Sequence, residues 1–195
     1  MSRVKPGGGG RPPGPDPVPD TATLLRAIHF AAEKHRDHRR KGATAAPYIN
    51  HPIAVAEQLA TAGHGQDAGL LMAAVLHDVI EDTETSEEEL RDAFGERVAR
   101  IVMEVTDDKS LPRHERKALV VRNIGHKSRE ARLVKLSDLL SNVGDVIHHP
   151  PNWNRERKQE YLEWCNQVFA GLRNVDAGLE AALAARLAEA ARGIG

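Results

Sequence analysis

Residues 70–83 read LLMAAVLHDVIEDT, an apolar run that closes on the ionisable side chains of His77, Asp78, Glu81 and Asp82. An unpaired charge inside a protein is costly, so a buried helix ordinarily keeps such groups at its surface. On a helix, His77 and Glu81 share a face one turn apart, and so do Asp78 and Asp82. A divalent cation pairs with the first two groups and leaves the second two for proton chemistry. The C-terminal end of a helix favours a cation as well, because its free carbonyls carry partial negative charge. Taken alone, His77-Asp78 fits equally well an ordinary helix end running into an acidic loop. The rest of the chain decides between these readings.

Outward from this stretch the apolar residues recur at helical spacing. Leu24, Ile28, Ala31, Ala32 and His35 share a face of a first helix, capped by Asp20 or Thr21. A basic cluster follows, with Lys34, Arg36, Arg39, Arg40 and Lys41, and then a loop to Pro52. Proline keeps the residue before it out of helical geometry and suits a first helical turn, so His51 stands at a helix entrance. Ile53, Val55, Ala56 and Leu59 carry that helix to Gly63, a C-terminal cap. Beyond the acidic turn, Ser86 and Glu89 match a capping box, and the helix they open ends at Gly95. Val98, Ile101, Val102 and Val105 predict the next helix, and residues 112–125 another. A long helix over residues 129–148 is broken by Pro150-Pro151. A further helix carries Tyr161, Cys165, Val168 and Leu172, and an Ala/Leu-rich helix closes the chain. No alternating strand pattern or hairpin signal appears. The expected fold is an all-α, single-domain helical bundle over residues 20–195, after a disordered Gly/Pro-rich tail over residues 1–19.

A chain of 195 residues with 41% hydrophobic and only 4% aromatic residues builds one core from Leu, Val, Ile and Ala. A formal net charge of −1 supplies no field that draws the protein to nucleic acid or to membrane. The single cysteine, Cys165, excludes an internal disulfide and fits a reducing compartment. No apolar run approaches a membrane span, and no apolar leader precedes the first helix. A cytoplasmic protein is expected. Oligomeric state leaves no signature in the sequence.

Asp138 puts a carboxylate on an otherwise apolar helix face in KLSDLLSNV. With His51, His77 and Asp78 it makes a set of two imidazoles and two carboxylates. Such a set suits Mn²⁺, Fe²⁺ or Zn²⁺ and leaves positions for water or phosphate oxygens. The basic cluster complements it, since a substrate with several phosphates needs cations beside an acidic site.

Four ordered blocks, HRDHRRKGATAAPYINHPIAVA, VLHDVIEDT, EVTDDK and VKLSDLLSNV, resemble the hydrolase domain of the RelA/SpoT proteins. They are more similar still to the stand-alone small alarmone hydrolases, including the metazoan SpoT homologues. The resemblance runs from Leu24 to Leu172. It implies an HD-superfamily, all-helical, Mn²⁺-dependent enzyme that removes the 3′-diphosphate from (p)ppGpp, a small-molecule nucleotide. Carried over by position, it makes His51, His77, Asp78 and Asp138 the metal ligands and Glu81 and Asp82 the catalytic acidic pair. It makes Arg40, Lys41, Asn142 and Tyr161 substrate-binding residues, with His35 a packing residue or one that backs a ligand. Leu139 and Ser141 stand where the family carries a basic residue and then an aromatic or His, so altered substrate contacts are expected there. The chain ends too soon for a synthetase domain, so hydrolysis without synthesis is expected. Alternative readings are a phosphatase acting on another ribose-phosphorylated nucleotide such as NADPH, and a metal-stapled regulatory module without turnover.

Overall fold

The apolar spacing folds into packed helices in the computed structural model, which describes residues 21–42 and 45–194. The expected tail over residues 1–19 and the capping candidate Asp20 lie outside the described residues. In chain order the helices are α1 (Thr21–Lys34), α2 (Asn50–Leu59), α3 (Ala68–Leu76), α4 (Val79–Asp82), α5 (Glu87–Phe94) and α6 (Glu96–Val105). They continue with α7 (Arg113–Asn123), α8 (Arg129–His148), α9 (Arg155–Gly171) and α10 (Ala177–Ile194). Among the described residues no strand forms; extended pairing is confined to the isolated bridges Arg39–Pro47 and Gly42–Pro151.

Two helices form the centre. Helix α3 is apolar on every side and is buried from Gly69 to Leu76, as expected of a helix surrounded by others. It packs against α1, α2 and α6. Ala27 and Ala31 are the buried residues of α1, and such small side chains allow close approach. Helix α8 buries Leu133, Val134, Leu136, Leu139, Leu140 and Val143 and packs against α2 and α10. Each buried leucine stabilises the fold by roughly 1.5–3 kcal/mol relative to exposure.

Side-chain caps set several helix starts. Asp67 Oδ1 accepts from the Leu70 amide at 3.0 Å, Ser86 Oγ from Glu89 at 3.1 Å and Ser128 Oγ from Ala131 at 3.2 Å. The expected box at Ser86 is made in this forward direction. The Glu89 carboxylate itself turns to Lys34 at 2.8 Å, an exposed pair between α5 and α1. Helix α2 gives way at Leu59 to a wider turn over residues 60–64, in which Gly63 takes φ +100° and reverses the chain. One apolar helix carrying all four ionisable groups was the expectation for residues 70–83; the helix is instead interrupted at His77-Asp78. The His77 ring explains the stop, because its Nδ1–H donates to the Ala74 carbonyl at 2.8 Å, satisfying an end carbonyl of α3. The backbone stays right-handed, and the Asp82 amide still donates to the Asp78 carbonyl at 2.9 Å, so the one-turn spacing survives.

Candidate active site

Residues from three separate parts of the chain converge at the break between α3 and α4. His51 enters from the first turn of α2, His77 and Asp78 sit at the break, and Asp138 projects from the middle of α8. His51 Nε2 lies 3.2 Å from Asp138 Oδ1 and 3.7 Å from Asp78 Oδ2. His77 Nε2 lies 2.9 Å from Asp78 Oδ2 and 3.8 Å from Asp138 Oδ1. One donor atom each from His51, His77 and Asp138 falls within a 4.8 Å span, a grouping that can hold a metal ion. The residues fit such an ion on a further ground. His77 Nδ1 is committed as a donor to Ala74, so in the neutral ring Nε2 presents a lone pair to carboxylate oxygens. That buried atom has no hydrogen-bond partner in the protein. Only a proton or a cation relieves a lone pair facing carboxylates.

The surrounding groups hold this set in place. Tyr48 donates its hydroxyl to Asp78 Oδ2 at 2.6 Å, and Lys135 pairs with Asp138 Oδ2 at 2.9 Å. Ser141 Oγ meets His51 Nδ1 at 2.9 Å. His35, buried as its position on the inward face requires, packs its ring 4.8 Å from that of Tyr48. Burial opposes the His77 cation, but the Asp78 and Asp138 charges overcome it and push its pKa up to about 9. Burial likewise opposes the Asp78 carboxylate, and the His77 charge holds it below the usual range. Burial lowers His51 in spite of Asp138.

The acidic pair divides. Glu81 is half-buried, and loss of solvent, with the charges of Asp107 and Asp78, pushes its pKa up to about 7. It accepts the Asp107 amide at 3.3 Å, and Arg116 of α7 stands 3.6 Å from its other oxygen. Asp82 is more open and pairs with Lys109. Among the expected substrate residues, Arg40 is fixed. Its Nε and one terminal nitrogen donate to Asp145 Oδ2 at 2.8 and 2.6 Å, and the same terminal nitrogen donates to Asn142 Oδ1 at 2.7 Å. The amide of Asn142 donates onward to Asp138, so this residue joins the expected nucleotide contact to the expected metal ligand. Tyr161 lies on α9, its ring 5.4 Å from Trp153 and 5.9 Å from Trp164. Lys41 is exposed and takes part in none of these contacts.

A family profile described as HD domain matches residues 27–179. The chain belongs to the HD domain family. Relatives of this HD domain protein include the guanosine-3′,5′-bis(diphosphate) 3′-pyrophosphohydrolase MESH1 of Danio rerio, 50% identical over 161 residues, which are 82% of this chain and 89% of that one. The Homo sapiens protein of the same name is 48% identical over 165 residues, 84% of this chain and 92% of that one. A solved structure of a metazoan ortholog of SpoT that hydrolyses ppGpp superposes with a TM-score of 0.85. It is 41% identical and covers 90% of this chain and 98% of that one.

In this HD domain protein the two departures on α8 face inward. Leu139 is in the hydrophobic core and Ser141 backs His51, so neither opens onto the substrate side. Sequence reading missed Tyr48, Lys109, Arg116, Lys135 and Asp145. Three of them were signalled: Lys135 stands one turn before Asp138, and Tyr48 and Lys109 lie in the blocks HRDHRRKGATAAPYINHPIAVA and EVTDDK. Arg116 and Asp145 carry no local mark, because only packing brings α7 to Glu81 and α8 to the loop of Arg40.

Proposed function

We propose that this protein is a metal-dependent (p)ppGpp 3′-pyrophosphohydrolase, which releases pyrophosphate and leaves GDP or GTP. The observation that carries the reading is the convergence of two histidines and two carboxylates, with the half-buried carboxylate of Glu81 one turn away. We assign the metal to His51, His77, Asp78 and Asp138, and proton chemistry to Glu81 and Asp82. Arg40, Lys41, Asn142 and Tyr161 are assigned to the nucleotide. Mixed imidazole and carboxylate donors accept Mn²⁺, Fe²⁺ or Zn²⁺, and Mn²⁺ is proposed among them on the resemblance to the Mn²⁺-dependent alarmone hydrolases. A divalent ion held there supplies Lewis acidity to a phosphoryl oxygen and to water. Glu81, with a pKa near working pH, takes the proton of the attacking water as the bond between phosphorus and the ribose 3′-oxygen breaks. The departing 3′-oxygen needs a proton in turn, and the acidic pair is placed to return it. Arg116 and Lys109 set positive charge beside that pair, where phosphate oxygens gain negative charge. Arg40, clamped by Asp145 and Asn142, presents a planar cation to base or phosphate at little entropic cost.

A regulatory module without turnover has no use for a half-buried carboxylate held at a pKa of about 7. Among the described residues no helix is long and apolar enough to cross a membrane. With Cys165 buried and free, a reducing, cytoplasmic location is proposed. The deciding experiment incubates purified protein with Mn²⁺ and, separately, with ppGpp, pppGpp and NADPH. Chromatography is expected to show GDP or GTP and stoichiometric pyrophosphate from the first two. Release of inorganic phosphate from NADPH alone would overturn the assignment.

A further inference from the structure

His35 and His38 lie just beyond α1 and take no part in the proposed chemistry. Their Nδ1 atoms stand 3.0 Å apart, so one ring donates and the other accepts. The turn that carries them is fixed by backbone contacts. The His38 amide donates to the His35 carbonyl at 2.9 Å, and the His38 carbonyl accepts from the Tyr48 amide at 3.1 Å and from Arg39 at 2.9 Å. The Tyr48 ring, 4.8 Å from that of His35, holds the buried imidazole from one side.

This hydrogen bond leaves the pair incompletely satisfied. His35 is 2% exposed, and its Nε2 is buried without a hydrogen-bond partner. Burial holds the His35 pKa below the ordinary imidazole value in spite of the Asp78 charge, so the ring is neutral near pH 7. If His35 donates from Nδ1, its Nε2 carries a lone pair in the negative field of Asp78 and Asp82. That field favours an Nε2–H instead. Half-buried His38 also favours an Nε2–H, which water can accept. Both rings hold their proton on Nε2 only when something other than a proton sits between the two Nδ1 atoms. Two nitrogens bound to one zinc ion stand roughly 2.9–3.4 Å apart, for angles between a right angle and a tetrahedral one. The observed spacing falls in that range.

We infer that His35 and His38 form a second metal site, separate from the metal centre at the α3–α4 break, which takes an ion of the Zn²⁺ class through both Nδ1 atoms. No proton leaves the pair on binding. The donor ring shifts its proton from Nδ1 to Nε2, and each Nδ1 lone pair forms one bond to the ion. Water fills the remaining positions, so the ion exchanges readily. The C-terminal end of α1 adds a favourable field for a cation. Imidazoles without a carboxylate ligand suit Zn²⁺, Ni²⁺ or Cu²⁺ better than Mn²⁺ or Mg²⁺. The two sites therefore differ in the ions they prefer, and this one does not depend on the hydrolase reading.

The test counts zinc by equilibrium dialysis. Two equivalents are expected in the native protein, one in His51→Ala, one in His38→Gln and none in the double variant. His38→Gln suits the purpose because its carboxamide keeps a hydrogen bond to His35 and offers no nitrogen lone pair. His38→Cys should restore the second equivalent through its thiolate. A second equivalent that survives His38→Gln, or its absence from the native protein at every soluble zinc concentration, would overturn the site. One equivalent that needs His38 but not His51 would leave this site standing and sink the metal assignment at the α3–α4 break. A further measurement needs no variant. In nitrogen NMR spectra of the histidine rings of native protein, zinc should move both Nδ1 resonances to metal-bound positions and leave both rings with an Nε2–H. Nδ1 resonances of His35 and His38 that keep their hydrogen-bonded positions while a second zinc binds would place that ion elsewhere and overturn the inference.

Discussion

Glu81 is held under opposing demands, and their balance is measurable. Burial and two neighbouring carboxylates push its pKa from the ordinary 4.5 up to about 7. The folded protein therefore binds this proton more tightly than the unfolded chain. The stability that the group contributes is fully present below about pH 4.5 and lost as the pH rises through about 7. The loss amounts to about 3 kcal/mol, an order-of-magnitude figure from the size of the shift. Glu81→Gln keeps the shape and removes the charge. Metal-free Glu81→Gln should be the more stable protein at pH 8, with the gap closing near pH 4.5; denaturant melts at both pH values check this. The same variant should keep its metal while kcat falls by about 10²–10⁴, the range of general acid–base catalysis. It should also lose the limb of the rate profile that rises near pH 7. Metal loss in this variant would make Glu81 a ligand and overturn the division of roles. The place of Glu81 and Asp82 one turn beyond His77 and Asp78 was legible from spacing, and their grouping as an acidic pair came from the family resemblance. Their different surroundings were not, because Asp107, Lys109 and Arg116 reach them from beyond α5 and α6.

Residues 35–42 and 45–49 are tied to one another and to the chain just beyond α8. The Arg39–Pro47 and Gly42–Pro151 bridges pin them, and a Cβ on Gly42 would meet the His149 carbonyl oxygen at 2.8 Å. Arg40 is thereby brought against Asp145 and Asn142, more than a hundred residues later in the chain. If this clamp fixes the guanidinium plane for the nucleotide, charge alone cannot replace it. Arg40→Lys keeps the charge and loses the planar fork, and its KM should rise nearly as much as that of Arg40→Ala. Asp145→Asn should raise KM about 10-fold with kcat nearly unchanged, since it frees the ring of donors without touching the reacting atoms. Arg36 is the control: its side chain is 71% exposed and, among the described residues, its ion pair is with its neighbour Asp37, so its removal should leave KM as it was. Equal effects at Arg36 and Arg40, measured by initial rates at fixed salt, would replace a clamped contact with a diffuse field.

The proposed metal set joins α2, the α3–α4 break and α8, so metal occupancy and global stability should be linked. An ion at 100 times its Kd should stabilise the fold by about 2.7 kcal/mol, a rise of roughly 5–10 °C in Tm for a chain of this size. Chelation should reverse the rise. His51→Ala should abolish it and Arg40→Ala should retain it; calorimetric scans with and without Mn²⁺ distinguish the two. A shift that persisted in His51→Ala would place the ion elsewhere. The all-helical fold and most helix ends were legible along the chain, because periodic apolar faces, prolines and short polar caps act within a few residues of themselves. That His51, His77, Asp78 and Asp138 lie together was legible too, since a carboxylate or imidazole in an apolar run is conspicuous wherever the chain later carries it. The stop between α3 and α4 was not, because it turns on the His77 ring reaching back to Ala74. Nor were the inward turn of Leu139 and Ser141 or the clamp on Arg40. Each of these depends on which faces meet across the bundle, and that is decided by packing over distances that local spacing does not encode.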